Sequence, residues 1–552
     1  MIQISLFRLP ALLLAATLLV HLPLSHAQDP YEGARERWLA EAEAAKPALI
    51  LKEVRPVSLV KPIQDAKAFQ GWRYEPCGTP EELYSQRFKA IETATLDFGK
   101  HLVGHFSFHT RTLTRCLDAP VRFKITFGEV PAELNTPFDP WDKNRLGRAW
   151  MQDETITLTR LDEWVTIPRR VACRYVKIEM MGWPGAGYEF AIDSVRFTAQ
   201  SSAGPVRHSL PPTCSDRIRR IYDVGVETLR ECMQTVYEDG PKRDQRLWIG
   251  DLYLEALANR HSFKNFDLTK RCLYLFAALA REDGVLFAPI IEDPIPHPQY
   301  GTYITPYALL WNVTLSDYFQ DTGDAETAND LFPAARVQID EGLSFLGEDG
   351  LFDVRKKPSW LFIDHRPGLD VSASMQGVLV FALKRTLALA KELGRENEVA
   401  GYPALIKKMT AAARKALFDK KRGLVLSGPD QQVSIMSQAW LVIAGILKPE
   451  EGAKAIRTAL QTEGCVMPGT PYATHYLVEA MIRCGMHAEA RSYVETYWGG
   501  MIDKGADTFW EAYVPSDDLY SPYGFHPLNS YCHAWSCSPV YYIGEYPEIF
   551  LQ

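Results

Sequence analysis

Residues 192–233 read IDSVRFTAQSSAGPVRHSLPPTCSDRIRRIYDVGVETLRECM, and the hydrophobic period changes within them. Before the change, Ile192 to Phe197 completes a series of short strands in which apolar residues recur every second position. After it, Ile218, Ile221, Leu229 and Met233 share one face at helical spacing. Between the two lies Gln200-Ser201-Ser202-Ala203-Gly204-Pro205, whose composition is that of a linker. The chain is therefore two textures joined at about residue 204.

Upstream, Phe106 with Phe108, Val121 to Phe127, Ile156 with Leu158, and Tyr175 to Met180 mark further strands. They are separated by turn-forming stretches such as Asn135-Thr136-Pro137 and Gly182-Trp183-Pro184-Gly185. Strands at this spacing, with no long helical pattern between them, predict a β-sandwich over residues 94–204. A leader and extended linker, residues 28–93, precede it, with a short helical stretch near Tyr31 to Ala45. Downstream, helical periodicity recurs at residues 268–281, 308–320, 377–393, 402–417, 438–447, 471–484 and 488–497. Several of these runs stop at glycine, as at Leu393-Gly394 and Cys484-Gly485. So many helices on short loops exceed a simple bundle and predict a closed ring of paired helices, an (α/α) barrel, over residues 205–552. A solenoid would show a self-similar repeat, which the sequence lacks.

Residues 1–27 have the form of a cleaved secretory signal. A short start with Arg8 leads into an apolar run from Leu9 to Leu22 and ends in Ser25-His26-Ala27. Pro10, His21 and Pro23 argue against a membrane anchor, and no lipobox-like cysteine follows, so the expected location is secreted or periplasmic. The formal charge of −8 is spread along the chain, which leaves no basic footprint for nucleic acid or an anionic membrane. The ten cysteines are too sparse for a disulfide scaffold and form no CxxC pair. Cys232, Cys272 and Cys484 read as core residues; Cys532 and Cys537 invite a disulfide or site hypothesis. His101, His105 and His109 lie in a strand pattern, where residues four apart are roughly 13 Å from one another, too far to share a metal. No metal or cofactor is expected, with an oxygen-ligated calcium left open, as is the oligomeric state. Asn312-Val313-Thr314 has the form of a glycosylation acceptor.

The chemistry gathers in two loops of the helical part. Tyr237-Glu238-Asp239-Gly240-Pro241-Lys242-Arg243-Asp244-Gln245-Arg246-Leu247-Trp248-Ile249-Gly250-Asp251 surrounds a Gly-Pro turn with carboxylates, basic groups and a tryptophan. The second loop carries Thr508-Phe509-Trp510-Glu511 and then Tyr531-Cys532-His533-Ala534-Trp535. Two carboxylates on separate loops of one pocket are what glycosidic cleavage requires, one giving a proton and the other acting on the opposite face of the sugar. Trp248, Trp360, Trp510 and Trp535 offer flat faces for a pyranose, and Asp and Arg pairs bind hydroxyls. No Gly-rich phosphate loop and no nucleophile elbow compete with this reading.

At these residues the sequence resembles the bacterial α-L-rhamnosidases of glycoside hydrolase family 78. The likeness extends upstream to Leu96-Asp97-Phe98-Gly99-Lys100, Phe127-Gly128-Glu129-Val130 and Arg174-Tyr175-Val176-Lys177-Ile178, and covers about residues 94–547. It implies an N-terminal β-sandwich followed by a C-terminal (α/α)6 catalytic barrel and an inverting mechanism with Glu511 as general base. It further implies sugar contacts from Asp239, Arg243, Arg246, Trp248, Asp251, His533 and Trp535, with Trp360 and Asp364 from a Trp-x-x-x-Asp segment. At one position the chain departs from the family: Gln245 stands where the acid glutamate would fall. Either the neighbouring Asp244 is the acid or hydrolysis has been lost and binding retained, and the intact remainder of the pocket favours Asp244. A polysaccharide lyase on the same barrel would need Tyr or His as its base and would not depend on Glu511.

Overall fold

The computed structural model describes residues 29–552 except 89–91, 115–118, 140–145, 182–188 and 358. The proposed export segment and the turn at 182–185 lie outside the described residues.

Period-two alternation becomes sheet. The strands are β1 (Ile50–Val54), β2 (Ser58–Gln64), β3 (Trp72–Gly78), β4 (Thr93–Thr112) and β5 (Val121–Gly128). They continue with β6 (Asp153–Leu158), β7 (Trp164–Thr166), β8 (Val171–Met180) and β9 (Phe190–Ser201). The order is β1-β9-β4-β8-β5-β6, with β2 paired to β3 and β4, and β7 to β4. β4 is 20 residues long and serves four partners because its register shifts near Asp97–Leu102 and again at His109/Thr110. The alternate residues Phe106, Phe108, Phe123, Ile125, Phe127 and Phe197 fill the core of this domain.

Residues 28–93 are more than the expected leader and linker, because β1, β2 and β3 belong to the same sheet. Their signal is faint because only Leu59 and Val60 are buried across the three strands. The helix of the leader, α1 (Arg35–Ala44), instead packs on the helical domain, where Trp38 is buried and Arg35 donates to the carbonyls of Ala278, Ala280 and Arg281. Two short helices, α2 (Pro80–Ser85) and α3 (Pro131–Asn135), complete the first domain.

The second domain alternates outer and inner helices. Outer helices are α4 (Asp216–Cys232), α6 (Phe266–Ala278), α8 (Ala325–Leu343), α10 (Tyr402–Ala416), α12 (Pro449–Gln461) and α14 (His487–Asp503). Inner helices are α5 (Ile249–Arg260), α7 (Thr305–Thr322), α9 (Ser372–Glu392), α11 (Ile435–Ile443), α13 (Pro471–Arg483) and α15 (Ser538–Glu545); α16 (Pro547–Phe550) ends the chain. α5 packs on α7, α7 on α9, α9 on α11 and α11 on α13, while α15 returns to α5. The turn Ala534–Ser536 bridges α13 and α5 and closes the ring. Composition decides the layer: all nine residues of α11 are buried, whereas α10 buries only Tyr402, Met409 and Ala413 on one stripe. Asn312 is buried within α7 and donates to Ala335 O at 2.7 Å, so the acceptor-like Asn312-Val313-Thr314 is core.

His101, His105 and His109 all lie on β4, each with its own partner: Glu129, Ile167 O and Asp193. Cys532 and Cys537 are free thiols and not a disulfide; Cys532 Sγ lies 4.0 Å from Cys232 Sγ.

Candidate active site

The segments that precede inner helices α5, α7, α9 and α15 line one cavity of about 970 Å³. The loop before α5 gives Asp239, Arg243, Asp244, Arg246 and Trp248, and the first turn of that helix gives Asp251. Trp360 and His365 come from the segment before α9, and Glu511, Tyr523, His533 and Trp535 from the long connection before α15.

Arg243 organises the carboxylates. Its Nη2 donates to Glu511 Oε2 at 2.6 Å and its Nη1 to Asp244 Oδ1 at 3.2 Å. These two oxygens therefore lie no more than roughly 8 Å apart, the guanidinium's own width included. Glu511 also accepts from the Ser530 backbone N–H at 2.8 Å and from the Tyr523 hydroxyl at 2.5 Å. Burial alone would raise its pKa, but the Arg243 and His533 charges and these two donors hold it down at about 2. Glu511 is thus buried yet ionised at neutral pH. Arg243 is itself fixed, with Nε donating to Leu528 O at 2.9 Å and its ring-facing side over Tyr523, 4.3 Å from the centroid.

Asp239 shapes the opposite side. It accepts the backbone N–H groups of Asp244 at 3.1 Å and Arg246 at 3.2 Å, which closes the loop over the Gly-Pro turn. Burial and the neighbouring Asp244 charge push its carboxyl up to about 8. Asp251 meets His533 Nε2 at 3.1 Å. Burial raises the Asp251 carboxyl, and the imidazole is raised too, its bond to Asp251 and the Glu511 charge outweighing the opposite effect of burial. The walls are aromatic: Trp248 meets Trp360 edge to face at 6.4 Å, and Trp535 lies 4.3 Å from the His533 ring and donates Nε1 to Glu511 O at 3.0 Å.

Ten of the twelve residues expected from sequence come together here: Asp239, Arg243, Asp244, Arg246, Trp248, Asp251, Trp360, Glu511, His533 and Trp535. Two do not. Trp510 is stacked on Phe69 of the first domain at 4.2 Å, where it props the Glu511 loop, and it does not line this cavity. Asp364 accepts from Gly469 N–H and Thr470 Oγ1, both at 2.7 Å, and so fastens the start of α13. Gln245 is turned out of the pocket, its Nε2 donating to Pro241 O at 2.6 Å, whereas the neighbouring Asp244 lines the cavity together with Asp239, Asp251 and Glu511. Sequence reasoning missed Tyr523 and His365. His365 lies 5.9 Å from Trp535 and 6.1 Å from Tyr523, and burial lowers it to about 4, so it is neutral.

A cluster of carboxylates, cationic partners and flat indoles, set at one end of an (α/α)6 ring, defines a glycoside hydrolase. The first domain matches the glycosyl hydrolase family 78 alpha-rhamnosidase N-terminal domain over residues 56–199, and the second the bacterial alpha-L-rhamnosidase 6 hairpin glycosidase domain over residues 212–546. The chain belongs to glycoside hydrolase family 78, the α-L-rhamnosidases. Among solved structures, it is similar to a rhamnosidase from Klebsiella oxytoca with rhamnose bound, at 36% identity and TM-score 0.88, over 93% of this chain and 99% of that one. The family 78 rhamnosidase of Bacillus sp. GL1 shares the fold at 19% identity and TM-score 0.69, over 86% of this chain and 49% of that one. The Streptomyces avermitilis α-L-rhamnosidase complexed with L-rhamnose does so at 16% identity and TM-score 0.62, over 90% and 44%. No protein of curated function matches the chain.

Proposed function

We propose that the protein is a secreted or periplasmic inverting hydrolase that removes a terminal α-L-rhamnose, or a closely related sugar, from oligosaccharides or glycosides. The observation that carries the reading is the single guanidinium of Arg243 between Asp244 and an ionised Glu511. In this mechanism Asp244 protonates the departing glycosidic oxygen while Glu511 takes a proton from a water that attacks the anomeric carbon from the opposite face. Inverting pairs stand about 6.5–9.5 Å apart, a range that overlaps the upper limit of roughly 8 Å set by the two contacts through Arg243. Asp239, Arg246, Asp251 and His533 bind the sugar hydroxyls; Trp248, Trp360 and Trp535 pack on its apolar faces. The rhamnose bound to the Klebsiella oxytoca relative supports the choice of sugar. Export rests on the form of residues 1–27.

The test is turnover of an aryl α-L-rhamnoside set beside a panel of other aryl glycosides, with proton NMR of the first product. Cleavage of the rhamnoside with inversion is expected; retention at the anomeric carbon, or preference for another glycoside, overturns the mechanism or the sugar. Asp244→Asn and Glu511→Gln are each expected to lower kcat by about 10²–10⁴-fold. An unchanged rate for Asp244→Asn removes it as the acid. Cell fractionation tests export.

A further inference from the structure

Lys242 immediately precedes the arginine that holds both carboxylates, yet it does not reach the cavity; its side chain is 1% exposed. A buried ammonium costs several kcal/mol unless it is closely paired. Its partners come from both domains. The first domain supplies Glu133 of α3, in an ion pair with Nζ, and Glu129, just past β5, whose Oε2 is 3.7 Å away. The barrel supplies the carbonyls of Pro527, at 2.9 Å, and Asn529. Glu129 also accepts the Tyr531 N–H at 2.6 Å and meets His101 Nε2 at 2.9 Å, while Glu133 accepts the N–H groups of Glu129 and Val130 at 2.6 and 3.1 Å. One charged node thus grips two barrel loops at once. Those loops are the ones that build the base: the first carries Arg243, the second carries the Ser530 N–H that Glu511 accepts. They are also tied to each other, since Ser530 Oγ donates to Arg243 O at 2.7 Å.

We propose that Lys242, held by Glu133 and Glu129 of the first domain, is a positioning residue for the Arg243–Glu511 pair, so that the β-sandwich acts in catalysis by fixing the geometry of the base. This rests on Glu511 being the base. The competing account is an ordinary interdomain ion pair that maintains the fold and nothing else.

The two accounts separate in a double variant. Lys242→Met or Glu133→Gln alone leaves an uncompensated polar partner in the interior and is expected to lower both Tm and kcat. The double variant removes Lys242 and its nearest carboxylate together, Glu129 keeps His101 and the Tyr531 N–H as partners, and a buried pair replaced by neutral side chains of similar size is commonly tolerated. Its Tm is expected to recover toward that of the wild type, while kcat on the aryl rhamnoside stays down by about ten- to a hundredfold, with KM little changed. Recovery of kcat together with Tm overturns the proposal. Should the double variant not fold, Lys242→Arg keeps the charge but displaces its head; reduced kcat at wild-type Tm supports the proposal, and wild-type kcat overturns it. If the wild type cleaves no aryl rhamnoside, the functional reading has failed, and a crystal structure of whichever variant folds decides the positioning claim: an Arg243–Glu511 contact retained at 2.6 Å overturns it.

Discussion

Gly240 is a glycine because three atoms need the space a side chain would fill. A Cβ there would stand 2.6 Å from Arg243 O, 2.8 Å from Ser530 Oγ and 3.1 Å from His533 Nδ1. Gly240→Ala is therefore expected to push the two catalytic loops apart at a cost of about 1–3 kcal/mol, read as a fall in kcat on the aryl rhamnoside; unchanged kcat shows that the loops separate without consequence. Tyr523 acts on the same carboxylate by other means. Its hydroxyl is one of the donors that hold Glu511 at about 2, and in the role of base proposed for it Glu511 works only when ionised, so activity is expected to be lost as pH falls through its pKa. Tyr523→Phe raises that pKa, and the acidic limb of the kcat/KM profile is expected to move up by about one to two pH units, the value of a hydrogen bond to a charged group. A limb that stays in place shows that Tyr523 does not tune Glu511. The residues of the site that were legible in sequence are those that sit in charged or aromatic runs next to one another. Tyr523 and His365 stand among ordinary loop residues, and only the folded chain brings them to the cavity. Trp510 misled for the converse reason: adjacency to Glu511 in sequence says nothing of which way each side chain faces.

At the scale of elements, hydrophobic period carried the barrel and failed where period and environment disagree. α7, α9, α11 and α13 of the inner layer and α4, α6, α10 and α14 of the outer layer were readable; α5, α12 and α15 were not. Nor was α8, because Pro333 stands in its interior and interrupts the pattern, yet the helix persists with Leu331, Phe332, Ala334 and Ala335 all buried. β1 to β3 were unreadable because they bury only Leu59 and Val60, too little to alternate. The docking of α1 on α6 involves residues more than 200 positions apart and leaves no local trace. It is nonetheless substantial: buried Arg271 donates to Ala42 O at 2.5 Å, Tyr31 hydroxyl to Gly284 O at 2.9 Å, and Trp38 is buried in the barrel's core. Trp38→Ala removes the largest of these contacts and is expected to destabilise the protein by about 3–5 kcal/mol. Because none of these residues lines the cavity, kcat below the melting transition should be that of the wild type. A marked kcat loss at intact Tm would place α1 in the catalytic apparatus.

The molecule as a whole carries two opposed sets of buried titrating groups. His365 and His526 are lowered to about 4 and His475 to about 3, each by burial. The unfolded chain protonates these histidines below about pH 6.5 and the folded chain does not, so acidification costs stability. Asp239 and Asp364 are raised by burial to about 8 and 6. The folded chain keeps those protons after the unfolded chain has released them above about pH 4, so acidification from neutrality favours the fold on their account. Over the range from about pH 4.5 to 6.5 the two sets offset one another, and removing a member of one set should expose the slope of the other. His475 suits the test because it lies in the wall between α13 and α15, its Nδ1 3.0 Å from Ser538 Oγ and 2.8 Å from the Tyr542 hydroxyl, and takes no part in the cavity. His475→Gln keeps a polar group of similar reach and deletes the titration. Whatever the variant loses at pH 7, it should recover about 2 kcal/mol relative to the wild type at pH 5, the free energy of protonating a histidine of pKa about 6.5 only in the unfolded chain. Chemical denaturation at the two pH values, followed by tryptophan fluorescence, measures the difference. If the gap between the two proteins is the same at pH 5 as at pH 7, His475 takes up its proton as freely in the barrel wall as in the unfolded chain, and the account of how burial sets this protein's acid stability is wrong.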